Sequence, residues 1–240
     1  MSEENTKVIP EEEEVGDQDD DGYIGSTIRV FLSYSAKNKE LSGQIKEQLE
    51  KYGLDVFLAH EDISPSKEWQ DVVLQHLDST DIFIPIITSD FKQSDWADQE
   101  SGIAFEKKKL IISLSIDNNP YGFLGKYQAL RFKSDSIKES CGDIFNVIKN
   151  NERFKKGIID SLINIFEGVR NWEHASDIAE LLLDFETMTD EQINSIAKAT
   201  IINDQIYKSF NALPKLFRLF KNHSNLDSEL SKQLELVGIK

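Results

Sequence analysis

From Thr27 onward, short runs of β-branched and aromatic residues alternate with amphipathic stretches of helical length, and this alternation narrows the possible folds more than any other feature. A strand followed by a helix of several turns returns to its neighbour in the parallel sense, so such a chain forms a parallel sheet wrapped by helices. Asp81 to Thr88 (DIFIPIIT) is the most continuously apolar run, which suits a central strand buried on both faces. Ile28 to Leu32, Leu54 to Leu58, Leu110 to Ile116 and Ala129 to Phe132 read as its companions. Five parallel strands with covering helices make a flavodoxin-like α/β sandwich, in which ligands bind beyond the carboxyl ends of the strands.

Between the strands the helical signals are local. Ser35 is placed to cap a helix whose Leu41, Ile45, Leu49 and Tyr52 share one face, and Gly53 ends it. Trp69, Val72, Val73 and Leu77 mark the next helix, with Trp69 read as a packing anchor, and a third runs from about residue 92 to residue 108. Beyond Asp143 only helical periodicity remains. Phe154, Ile158, Ile159, Leu162, Ile165 and Phe166 form one stripe; Ile178, Leu181, Leu182 and Phe185 form another. A further helix is predicted to begin at Thr189 with Gln192 completing a capping box, followed by segments 213–220 and 226–236. The expected organisation is an acidic tail over 1–26, an α/β domain over 27–150 and a small helical bundle over 151–240 that either mediates assembly or sensing or covers the sheet's far side.

Charge narrows the function. The chain of 240 residues carries a formal charge of −16. Residues 1–21 hold ten acids and one base, so that segment contributes −9 and is expected to be disordered. Such acidity argues against nucleic acid or anionic membrane as a main ligand, because phosphates require a basic surface. The single cysteine, Cys141, cannot form an internal disulfide, no apolar run approaches the ~18 residues of a membrane span, and no signal peptide is evident; a cytoplasmic protein is expected. The four histidines are scattered without metal-ligand spacing, so no metal is predicted. Glycine-rich phosphate loops, nucleophile elbows and zinc-binding helices are also missing from the pattern.

Three passages resemble the TIR (Toll/interleukin-1 receptor) domain, in particular its prokaryotic branch. Val30-Phe31-Leu32-Ser33-Tyr34 is similar to the family's first box. Glu61 to Ser66 followed by Trp69 looks like its BB loop running into the second helix, and Asp95 to Glu100 (DWADQE) fits the WxxxE pattern of TIR domains that cleave NAD. The resemblance implies an NAD glycohydrolase or ADP-ribosyl cyclase, with Glu100 as the essential carboxylate and Ser33, Tyr34, Trp96 and Asp62 as substrate-binding residues. NAD is then the substrate, with no further cofactor, and the implied setting is anti-phage defence or immune-type signalling. Self-association, or contact with other TIR domains, is expected through the 61–69 loop. No arginine follows Tyr34, which leaves phosphate contacts to backbone amides or Lys37.

The chemistry needs one carboxylate. Nicotinamide leaves NAD as a neutral molecule without an acid's help, so the demand is to stabilise the oxocarbenium-like ribose that develops. Trp96, four residues before Glu100, lies on the same helix face and can line the same pocket. Ser33 and Tyr34, at the end of the first strand, are expected to form the opposite wall. Read from the residues alone, Glu100 is first an exposed helix glutamate beside Lys92 or Lys108, and the alternatives stand that Trp96 is core and that Ser33 and Tyr34 only close a turn and cap a helix. A non-catalytic TIR docking module and a nucleoside-processing transferase on a similar fold are the competing functions.

Overall fold

The computed structural model describes residues 27–59, 69–133, 135–223 and 226–239. The acidic segment 1–26, the loop holding Asp62 and the side chain of Trp69 lie outside the described residues.

The strands are β1 (Arg29–Ser33), β2 (Asp55–Leu58), β3 (Ile82–Ile87), β4 (Leu110–Ile111), β5 (Leu114–Ser115) and β6 (Leu130–Arg131). All pairings are parallel, in the order β2-β1-β3-β5-β6, with β4 also on β3. The expected fourth strand is therefore present in two pieces. Ile82 pairs with Leu110 and Ile86 with Leu114, a constant register that sets Pro85 opposite the gap. Proline has no N–H for the ladder, and the pairing lapses there.

Helices α1 (Lys39–Glu50), α2 (Trp69–Ser79), α3 (Asp95–Glu106) and α4 (Ile137–Lys149) cover the sheet. Alternation along β1 sends Val30, Leu32 and Tyr34 into the core shared with α1 and α4, and Phe31 into the core shared with α2 and α3. In the second core Phe31 stacks on Phe83, ring centroids 5.8 Å apart. Helix α4, which the sequence reading leaves unassigned, buries Cys141, Ile144, Phe145 and Ile148 and is capped by Ser136. Ser35 does not cap as expected. A short 3-10 turn, Ala36–Asn38, intervenes before α1, and Ser35 accepts the Asn38 N–H through its backbone carbonyl at 2.7 Å.

The remaining helices are α5 (Glu152–Glu167), α6 (Trp172–Leu183), α7 (Asp190–Ile202), α8 (Asp204–Tyr207), α9 (Leu213–Asn222) and α10 (Ser228–Leu236). The Thr189–Gln192 capping box forms at the start of α7, as its sequence predicts. One continuous apolar cluster runs from Ile28 and Leu32 through Ile45 and Phe145 into Phe154, Leu162, Ile178 and Ile196. The helical region is thus packed onto the sheet layer through the α1–α4 side. Among the described residues no helix is long and apolar enough to cross a membrane.

Candidate active site at the end of the first strand

The strand order reverses between β1 and β3: the chain passes from β1 to β2 on one side and then to β3 on the other. At such a switch point the loops leaving the two strands part, and a crevice opens beyond their carboxyl ends. Ser33, the last residue of β1, stands at this place, paired in register with Pro85.

Glu100 reaches it from α3. Ser94 caps that helix by accepting the Ala97 N–H at 3.3 Å, which fixes where its first turn begins. The buried residues of α3 are Ala97, Glu100, Ser101 and Ala104, the spacing of one helix face. Glu100 thus occupies a core-facing position that an ordinary amphipathic helix gives to an apolar residue, and it is 2% exposed. The Ser33 hydroxyl, itself fully buried, donates a hydrogen bond to Glu100 Oε2. The other oxygen, Oε1, is enclosed and has no hydrogen bond of normal geometry among the described residues.

Burial dominates the electrostatics. It pushes the Glu100 pKa up to about 7, against the opposing pull of the Ser33 hydroxyl and the Trp96 indole, both of which favour the charged form. Neither group is a cation, so when Glu100 ionises its negative charge stands largely uncompensated by the described residues in a low-dielectric place. A charge of that kind interacts strongly with any positive charge that develops beside it.

Ser33, Trp96 and Glu100 are therefore brought together. Trp96 is half-buried against the α2–α3 core. Tyr34 is not brought to them: as the next residue after Ser33 it takes the opposite side of the sheet and is buried in the α1–α4 core. The expected wall from Tyr34 is accordingly absent, for the same alternation that delivers Ser33. Asp62 lies outside the described residues. Lys37 is engaged by Asp90 at 2.6 Å, an exposed pair that ties the loop after β1 to the loop after β3.

Sequence reasoning missed the network around this edge. Thr88 donates to Asn38 Oδ1 at 3.1 Å and accepts the Phe91 N–H at 3.1 Å, while Ser89 gives both its N–H and its hydroxyl to Asp117. These bonds join the loops after β1, β3 and β5. The clustering of Thr, Ser, Asp and Asn directly after strands was the available signal. Among the described residues no group of three or more His, Cys, Asp or Glu is placed to hold a metal ion.

The family model for the TIR domain matches residues 30–143. Among solved structures the chain is similar to the TIR domain of the Toll-related receptor TRR-2 from Hydra magnipapillata, with 20% identity, 50% of this chain and 98% of that chain covered, and a TM-score of 0.42. No curated protein matches the sequence.

Proposed function

With residues 30–143 forming a TIR domain, we propose that this protein cleaves the nicotinamide–ribose bond of NAD, with Glu100 stabilising the ribosyl cation. The observation that carries the reading is a carboxylate at a core-facing helix position at the switch point, one oxygen bound by Ser33 and the other without a normal hydrogen bond among the described residues.

In the proposed step the C1′–N bond breaks and its electron pair leaves with nicotinamide, which needs no proton. Positive charge gathers at C1′ and the ring oxygen, and the ionised Glu100 stabilises it directly and through hydrogen bonds from the ribose hydroxyls. Water then adds at C1′ and releases a proton, giving ADP-ribose; attack by an adenine nitrogen instead gives a cyclic product. Trp96 supplies an apolar surface beside the carboxyl. At 2% exposure Glu100 meets the ribose only when the groups covering it move apart. By the same family resemblance, immune-type signalling or antiviral defence is the setting proposed.

The test is chromatographic. The full-length protein incubated with NAD is expected to release nicotinamide, and Glu100→Gln, which keeps the shape and loses the charge, is expected to reduce the rate at least 100-fold. Equal release by the two proteins overturns the reading.

A second reading, in which the domain works by docking to another TIR domain without catalysis, draws on a groove of about 720 Å³ between the outer faces of α2 and α3. It is lined by Leu74, Gln75, Gln99, Gly102, Ile103 and Glu106, with Leu74 42% exposed. That groove does not include Glu100. A charged substitution, Leu74→Glu, that abolishes self-association in a chromatographic sizing experiment while Glu100→Gln leaves function untouched favours docking.

A further inference from the structure

We propose that Ser33 is the positioning residue for Glu100: its hydroxyl fixes one carboxyl oxygen on the sheet, leaving Oε1 to receive the hydroxyls of the substrate ribose. This rests on the NAD reading above and assigns Ser33 a different part from contact with the substrate.

Three observations support it. First, a buried serine at a strand end usually satisfies its hydroxyl locally, on a neighbouring backbone group. Ser33 instead donates across 67 positions of sequence to a carboxylate that has no basic partner among the described residues. Second, the donor sits on a rigid element. Ser33 is the terminal residue of a strand flanked on both sides by others, paired with Pro85 and fully buried, so its Cβ is fixed by backbone pairing. Third, the bond is selective between the two oxygens. A carboxylate accepts up to about four hydrogen bonds; here Oε2 holds the Ser33 hydroxyl, while Oε1 is enclosed without a hydrogen bond of normal geometry among the described residues, the Trp96 indole lying close enough to the carboxyl to favour its charged form. A hydroxyl-to-carboxylate bond favours the ionised form, so it opposes the burial that holds this group near neutrality. Without the hydroxyl, the carboxyl both loses its orientation and protonates more readily.

The experiment uses full-length Ser33→Ala, Ser33→Cys and Ser33→Thr. The cysteine keeps nearly the same volume with a much weaker donor, so a loss shared by Ala and Cys is not a packing defect. Threonine restores the hydroxyl. Two readouts are taken: kcat and KM for NAD from pH 5 to 9, and the titration of the Glu100 carboxyl followed by carbon-13 NMR in protein labelled at glutamate. Ala and Cys are expected to lower kcat 10- to 100-fold with KM within threefold, to move the acid limb and the NMR midpoint upward by about one pH unit, and to be rescued in part by Thr. A rise in KM with unchanged kcat means that Ser33 touches substrate, and overturns the proposal. Unchanged kcat, KM and carboxyl titration overturn it as well. If the wild type releases no nicotinamide, the NAD reading fails on its own; the NMR midpoint then still decides whether Ser33 holds the carboxyl.

Discussion

At position 100 the protein accepts a local loss of stability that a neutral side chain would not incur. Glu100 has a pKa of about 7 when folded, against an ordinary value of 4.5. Between those values the folded protein keeps a proton that the unfolded chain has released, so stability falls as pH rises through the window and the loss is complete above it. At 1.36 kcal/mol per pH unit, the deficit above neutrality is about 3 kcal/mol. Glu100→Gln should therefore be more stable than wild type at pH 8, by up to about 3 kcal/mol in urea titrations, with the gap closing toward pH 4.5. A variant no more stable at pH 8 than at pH 4.5, relative to wild type, contradicts the burial argument. The same ionisation would set the rate of the proposed reaction. In the proposed NAD cleavage the anion is the working form, so kcat/KM for NAD should rise through about pH 7 to a plateau, with the acid limb absent from any residual activity of Glu100→Gln. The Trp96–Glu100 spacing singled this residue out in the sequence, but its burial was not legible there. Its companions on the inward face, Ala97, Ser101 and Ala104, are small or polar, so hydrophobic periodicity gives no sign that the face is buried. Tyr34 was misjudged because neighbours in a strand point to opposite sides, a rule that separates it from Ser33 as soon as one of the two is assigned a face.

Elements were readable where the interactions that make them are local. The capping box of α7 spans four residues, and both of its bonds form: Thr189 N–H to Gln192 Oε1 at 3.0 Å and Gln192 N–H to Thr189 Oγ1 at 3.2 Å. Gln192 also donates to Asp160 of α5 at 2.6 Å, so the cap helps to hold two helices together. Thr189→Ala should lower stability by about 1 kcal/mol in a urea titration, the usual effect of deleting a helix cap, and Thr189→Ser should recover most of it. A result within error of wild type for alanine would mean that the helix start is held by packing alone. The divided strand is the counterexample. Leu110 to Ile116 reads as one strand, and nothing within it foretells the break at 112–113; the cause is Pro85 on the neighbouring strand. Ser35 likewise has the right chemistry for a cap, and it is the intervening 3-10 turn that moves the start of α1 beyond its reach.

At the scale of the whole molecule, a bundle with its own core would unfold apart from the sheet, whereas one packed into the sheet's core would not. The packing supports the second case. The apolar cluster that includes Ile45 and Leu49 of α1 and Ile148 of α4 continues without a break into Phe154, Ile158 and Leu162 of α5. Where the α1–β2 turn meets α5, Gly53 has φ +82°, and a Cβ there would lie 2.8 Å from Ser161 Cβ. This contact gives Gly53 a second role beyond ending α1, which no pattern in residues 27–59 could reveal, because its partner is more than a hundred positions away. Gly53→Ala combines a left-handed backbone penalty of about 1–2 kcal/mol with an overpacking cost of similar size, so a loss of about 2–4 kcal/mol is expected. The seam also predicts cooperativity. Tryptophan fluorescence draws on Trp69 and Trp96, in the helices that cover the sheet, and on Trp172 in the helical region, while far-ultraviolet circular dichroism follows the helices. In urea, the two signals should change together in a single transition, and Gly53→Ala should lower the midpoint of both by the same amount. Two separated transitions, with only one displaced by Gly53→Ala, would show that the helical region stands on its own core and that the shared cluster contributes little to holding it on the sheet.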